Sequence, residues 1–234
     1  MRRPVVAIDG PAGAGKSTVT KRVADELGYL LVDTGALYRA VALAAQRASV
    51  SWDDNEALGV LAYQLVNERA VQLGNQQSSG FAVKLRGEDV SLAIREPSVS
   101  QGASKVSAVP AVRDALLDMQ RQAGAGGGAV LEGRDIGTVV FPNAEAKFFL
   151  TASVDIRAQR RFDELLARGG VPELAEVKRE VAERDLRDST RPIAPLKQAS
   201  DAQIIDSSVL SIDQVVARIV KRVREVEAEL GALA

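Results

Sequence analysis

Gly10-Pro11-Ala12-Gly13-Ala14-Gly15-Lys16-Ser17-Thr18 carries the spacing G-x-x-x-x-G-K-S/T. Glycines in that pattern let backbone amides curl around phosphate oxygens, and the lysine and hydroxyl that follow suit a triphosphate and its magnesium. The run Val5-Val6-Ala7-Ile8 precedes it, with the continuous apolar character of a strand covered on both faces. After it, Val19, Val23 and Leu27 recur four apart, the period of a helix that opens at the loop. An ordinary glycine turn is the competing account. Chance yields this pattern in on the order of one per cent of chains this long, before the strand and helix are required.

Working outward, Gly28 stands where a left-handed helix cap belongs, and Tyr29-Leu30-Leu31-Val32 resumes strand character before a second loop at Asp33-Thr34-Gly35. Alternating strands and helices predict a parallel α/β sheet. Residues 38–47 and roughly 52–69 read as helical. The texture then changes. Val71 and Leu73, a polar turn from Asn75 to Gly80, and the alternation Phe81, Val83, Leu85 predict an antiparallel hairpin, so 35–104 reads as an insertion. The glycine run at 124–128 has no Lys-Ser or Lys-Thr after it and reads as a flexible surface connection. Strands are predicted at Ala129-Val130-Leu131, Lys147-Phe148-Phe149-Leu150 and Gln203-Ile204-Ile205-Asp206. Ser211 and Gln214 form a capping box for a terminal helix whose Ile212, Val215, Val216, Ile219, Val220 and Val223 face the core.

Composition narrows the chemistry. The 234 residues contain no cysteine and no histidine, which excludes disulfides, thiolate zinc sites and imidazole bases. A net charge of -1 gives no global pull toward nucleic acid or anionic membrane. The apolar stretch at the N-terminus is too short for a signal peptide, and no run approaches a membrane span, so the expected compartment is the cytoplasm.

Three further clusters surround the carboxyl ends of the predicted strands, where doubly wound sheets bind ligands. Thr34 offers a hydroxyl and Arg39 a planar fork to an acceptor phosphate. Glu132-Gly133-Arg134-Asp135 follows the third strand-like run, with Glu132 a candidate for the magnesium beside Ser17. Arg184, Asp188 and Arg191 fall at i, i+4 and i+7 on one helix face, with Arg157 and Arg161 upstream sharing another. Each cluster alone reads as an ordinary solvated charge pair. Beside a triphosphate loop, repeated arginines suit the charge of a transferring phosphoryl group. The absence of histidine fits an acceptor that is itself a phosphate, already largely ionised and needing no strong base.

Taken together, Ile8 to Ser17, Asp33-Thr-Gly-Ala-Leu-Tyr-Arg39, Glu132 to Pro142, Glu183-Arg-Asp-Leu-Arg-Asp188 and Ala194-Pro-Leu196 resemble the bacterial cytidylate kinases, a nucleoside monophosphate kinase family, over nearly the whole length. That resemblance implies an α/β P-loop core with a parallel sheet at 1–34, 105–156 and 192–234, a monophosphate-binding region with an α+β insert at 35–104, and a short helical lid at 157–191. It implies ATP as co-substrate with Mg²⁺, and CMP and dCMP as acceptors, in a monomer without nucleic acid, membrane or obligate protein partner. Gly10, Pro11, Ala12, Gly13, Ala14, Gly15, Lys16, Ser17 and Thr18 would bind ATP, with Ser17 on the metal. Thr34, Arg39 and Arg134 would hold the acceptor phosphate. Ser104, Arg113, Asp135 and Arg191 would read the cytosine, and Arg184 and Asp188 the sugar hydroxyls. Lys16, Arg134, Arg157, Arg160 and Arg161 would attend the ATP phosphates and the transferring group. The alternatives are another P-loop small-molecule or UMP/CMP kinase, and a non-enzymatic module switched by ATP.

Overall fold

The computed structural model describes residues 3–74 and 82–232. In chain order its elements are β1 (Val5–Asp9), α1 (Lys16–Leu27), β2 (Leu30–Asp33), α2 (Thr34–Arg47), α3 (Asn55–Asn67), β3 (Val71–Gly74), β4 (Ala82–Leu85), β5 (Glu88–Asp89), α4 (Pro97–Val106), α5 (Pro110–Gly124), β6 (Ala129–Gly133), β7 (Ala146–Thr151), α6 (Val154–Ala167), α7 (Leu174–Thr190), β8 (Gln203–Asp206) and α8 (Ile212–Ala232). They form two compact units, one of residues 1–29 with 127–234 and one of residues 30–126. The sequence division instead groups 105–126 with the phosphate-loop core.

In the first unit the strands run in the order β6, β1, β7, β8. Every pairing is parallel, with Ile8 beside Glu132 on one side and Phe148 on the other. Val6, Ala7, Ile8, Val130, Leu131, Phe148, Leu150 and Ile205 are buried, the two-sided covering that their continuous apolar runs require. Helix α1 begins directly at the loop lysine and ends at Gly28, whose left-handed φ of 65° leaves its N–H free to close the last turn on Ala24 and Asp25. Helix α8 starts with the reciprocal capping box: Gln214 N–H donates to Ser211 Oγ and Ser211 N–H to Gln214 Oε1. Val215, Val216, Ile219, Val220 and Val223 of α8 are buried, but Ile212 is 46% exposed. It stands in the first turn, which overhangs the core it was expected to face.

The glycine run, read as a surface connection, forms a turn against the start of β1. Gly127 and Gly128 both adopt positive φ, and a Cβ on Gly127 would sit 2.2 Å from the Arg3 carbonyl oxygen. Gly128 N–H then donates to the Pro4 carbonyl, delivering the chain into β6 beside β1. Helices α6 and α7 share a small core of Ala158, Val177 and Val181, with Val154, Phe162 and Leu165 packed on it.

In the second unit, α2 through α5 close over one apolar cluster that includes Leu37, Leu58, Leu65, Val99 and Leu116. Strands β3, β4 and β5 form a three-stranded antiparallel sheet, in which Leu73 pairs with Val83. The predicted hairpin is thus present in its strands, and the turn assigned to 75–80, with Phe81, lies outside the described residues. Helices α4 and α5 carry no reading at the sequence level; each opens on a proline at its first turn, Pro97 and Pro110, where a missing N–H costs nothing.

Phe148 is the largest side chain sealed in the first unit's sheet. Phe148→Ala removes that packing and costs about 3–5 kcal/mol, so thermal unfolding should shift down by about 10 °C, while a surface change such as Lys21→Ala should leave the transition within about 1 °C.

Candidate active site

Lys16 is buried, and its Nζ donates to the carbonyls of Gly10 (2.8 Å) and Pro11 (2.7 Å) within its own loop. Burial, followed by the positive charge of Arg134, pushes its ammonium well below the ordinary lysine value, while Glu132 and Asp9 pull it back. The side chain therefore gains from any anion brought near it. Ser17 Oγ donates to Glu132 Oε2 at 3.0 Å, joining the first turn of α1 to the end of β6. Parallel pairing of β1 with β6 places this carboxylate beside the loop, so the candidacy of Glu132 follows from register.

Asp9, which no motif reading singled out, is 4% exposed and accepts two hydrogen bonds. The amides of Ile136 and Gly137 donate to its two carboxylate oxygens, each at 2.8 Å. Those amides begin the wide helical turn at 136–140 that follows Arg134 and Asp135, so Asp9 clamps that turn onto the end of β1. Desolvation outweighs the two amides and raises the Asp9 carboxyl to about 6. The sequence signal was a lone acid ending an apolar strand, with nothing to mark its distant partners.

Arg134 and Asp135 do not pair with each other. Arg134 Nε donates to Asp188 at 2.8 Å, and Arg184 of the same helix lies 4.0 Å from that carboxylate. Burial alone would raise Asp188, but Arg134, Arg184 and Arg191 together hold it below the usual carboxylate range. Asp135, 4% exposed, faces Arg191 at 3.5 Å. Arg191 is not on the helix face predicted for it: α7 stops at Thr190, and Arg191 has extended backbone with ψ of 139°. The motif Ala194-Pro195-Leu196 explains the position. Ala194 takes a left-handed φ of 49°, its carbonyl accepts from Arg191 Nε at 2.6 Å, and Leu196 N–H returns to the Asp188 carbonyl. A backbone turn, invisible to helical periodicity, therefore aims this arginine.

The arginines of α6 divide by burial. Arg157, 4% exposed, donates to the carbonyls of Ala152 and Ala12 and makes a bidentate pair with Asp185 of α7. It is engaged entirely within the protein. Arg160 reaches the Gly13 carbonyl and both the hydroxyl and carbonyl of Ser207. Arg161 is more exposed and bonds Glu164, three residues on.

In the second unit, Asp33-Thr34-Gly35 is not a loop: Asp33 caps α2 by accepting from Ala36 N–H, and Thr34 is the first helical residue. Aspartate is a strong N-cap, and it starts a helix where the small residues alone suggest a loop. Arg39 folds back along that first turn to Asp33, and Gly35 makes the room, since a Cβ there would lie 3.0 Å from Arg39 Nη1. Arg39 Nε is buried without a hydrogen-bond partner. Thr34 and Ser104 are buried on α2 and α4. Arg113 of α5 donates to the Ser107 carbonyl at 3.1 Å and stacks over the Tyr38 ring at 5.4 Å.

Asp9 supplies a pH test. Its folded value near 6 lies above the ordinary 3.8, so its stabilising contribution is present below pH 3.8 and is lost as pH rises through 6. Urea unfolding of the native chain should therefore lose on the order of 3 kcal/mol relative to Asp9→Asn between pH 4 and 7; parallel profiles would mean that Asp9 titrates normally.

Comparison with known proteins identifies the family. A sequence model of the family described as cytidylate kinase matches residues 6–225. The cytidylate kinase of Pelotomaculum thermopropionicum is 50% identical over 220 residues, 94% of this chain and 96% of that one. That of Syntrophotalea carbinolica is 49% identical over 224 residues, covering 96% and 93%. That of Geobacter sulfurreducens is 50% identical over 224 residues, covering 95% and 94%. With the family's model spanning all but the two ends and half of the residues shared over nearly the full length, the chain belongs to the cytidylate kinase family.

Proposed function

We propose that the chain transfers the γ-phosphoryl group of ATP to CMP or dCMP, releasing ADP and CDP or dCDP. The observation that carries this reading is the cluster around Lys16, in which a triphosphate loop is followed through the fold by Arg134, Arg184 and Arg191, each beside a buried carboxylate. Family membership makes the acceptor a cytidine monophosphate.

The loop amides and Lys16 take the triphosphate. Ser17 and Glu132 fit Mg²⁺, a hard cation that prefers oxygen ligands and retains several waters, so a hydroxyl and a carboxylate 3.0 Å apart suffice from the protein. Held by Ser17 and Glu132, Mg²⁺ would supply positive charge against the negative charge that develops on transfer. Among the described residues no group of three or more acidic side chains competes for it.

Thr34, Arg39 and Arg134 hold the acceptor phosphate. The partnerless Arg39 Nε supports this, because a buried guanidinium N–H left unbonded costs free energy that an incoming phosphate oxygen recovers. With its second pKa near 6, that phosphate is already a nucleophile at neutral pH and requires no histidine. Asp135 accepts from the exocyclic amine of cytosine, while Arg191, Arg113 and Ser104 meet the ring's remaining edge. Arg184 and Asp188 face the sugar hydroxyls. Arg160 and Arg161 attend the ATP phosphates, and Arg157 acts through the Ala12 carbonyl that it holds. With this reading go a cytoplasmic location and a monomeric working form. No described helix is long and apolar enough to cross a membrane.

An assay of ADP release with CMP, dCMP, UMP, AMP and GMP tests the assignment: CMP and dCMP should be the best acceptors, and a different order removes the cytosine reading. Asp135→Ala should lower kcat/KM for CMP by about 100-fold or more with ATP affinity changed less than about threefold, and equal losses would show a general structural role.

A further inference from the structure

Five consecutive carbonyls of the phosphate loop, Gly10 through Ala14, accept hydrogen bonds from side chains. Lys16 takes the first two. Arg157 Nη1 donates to Ala12 at 3.2 Å and Arg160 Nη1 to Gly13 at 3.4 Å. Ser207 Oγ donates to Ala14 at 3.0 Å. In a planar trans peptide the carbonyl and the following N–H point to opposite sides. Bonds that hold the carbonyls of Ala12, Gly13 and Ala14 outward therefore aim the amides of Gly13, Ala14 and Gly15 inward, as an anion nest needs.

Ser207 is the member of this outer shell that no motif or family assignment covers. It is 5% exposed and follows directly on β8. Its N–H donates to the Thr151 carbonyl at 2.8 Å, which ties it to the end of β7. A hydroxyl has one proton to give and lone pairs to share, and both are used: Ser207 Oγ gives its proton to Ala14 and accepts from Arg160 Nη1 at 3.0 Å. The Ser207 carbonyl accepts from Arg160 Nη2 at 2.7 Å. One small residue thus fixes both a loop peptide and an arginine of α6.

We propose that Ser207 is a positioning residue for triphosphate binding, orienting the Ala14–Gly15 peptide and Arg160. The inference rests on the reading that ATP occupies the phosphate loop, and it is independent of which acceptor follows. Isothermal titration of the purified chain with Mg²⁺ and ATP, without acceptor, reads it directly. Ser207→Ala should weaken ATP binding by about five- to tenfold, the worth of one or two hydrogen bonds. Ser207→Thr, which keeps the hydroxyl, should stay within about threefold of the native chain. In the assay of ADP release, KM for CMP should move by less than about twofold in both variants.

Unchanged ATP affinity in a folded Ser207→Ala chain would overturn the proposal. So would an equal rise in the KM for CMP, or a folded Ser207→Thr chain as weak as the alanine variant. If Ser207→Ala does not fold, Ser207→Cys preserves the size with a poorer donor, and it must show the same ATP-selective loss. Failure of CMP as acceptor with the ATP result intact would dismiss the acceptor reading alone.

Discussion

Concentrating positive charge in a buried site is the constraint on which the rest of this structure depends. A lysine, three buried or half-buried arginines near it and the arginines of α6 would repel one another and lose hydration if left alone. The fold answers four of them with carboxylates from other elements: Arg134 with Asp188, Arg157 with Asp185, Arg191 with Asp135, and Lys16 with Glu132 and Asp9 nearby, while Arg160 is held by Ser207. Each cation thereby has a defined position, and a phosphate entering the cluster meets donors that are already oriented. That is the condition under which electrostatic stabilisation of a transition state is effective, since little reorganisation remains when charge develops.

The same constraint links the sheet to the helices α6 and α7. Asp9 at the end of β1 clamps the turn after β6, which carries Arg134 and Asp135. Those two side chains reach Asp188 at the end of α7 and Arg191 just beyond it. Arg157 runs from the phosphate loop to Asp185, one turn earlier on α7. Since α6 and α7 share only a small apolar core, these polar struts determine where the pair sits.

Much of this is legible in the sequence. Strands β1, β6, β7 and β8, the Gly28 cap and the Ser211–Gln214 box are local patterns, set by apolar runs and by backbone groups that need partners nearby. The phosphate loop belongs with them, because its function lies in one contiguous stretch of backbone. Where pattern and structure differ, the cause is shared. The small residues of Asp33-Thr34-Gly35 suggest a turn, whereas an N-cap aspartate and a glycine under Arg39 serve a helix. Periodicity puts Arg191 on a helix face, whereas the Ala194 turn decides its direction.

By itself the sequence determined the fold class, the triphosphate loop and the family, since each is written in contiguous residues whose chemistry is local. Tertiary structure alone decided the pairings: which carboxylate meets which arginine, that Asp9 grips amides 127 and 128 residues away, and that Ser207 closes the loop from 193 residues away. Parallel strand register and helix packing create those contacts, and a side chain's partner across such a distance leaves no periodic trace in the chain. The phosphate loop could be read in one line of sequence; the side chains that hold its carbonyls outward could not.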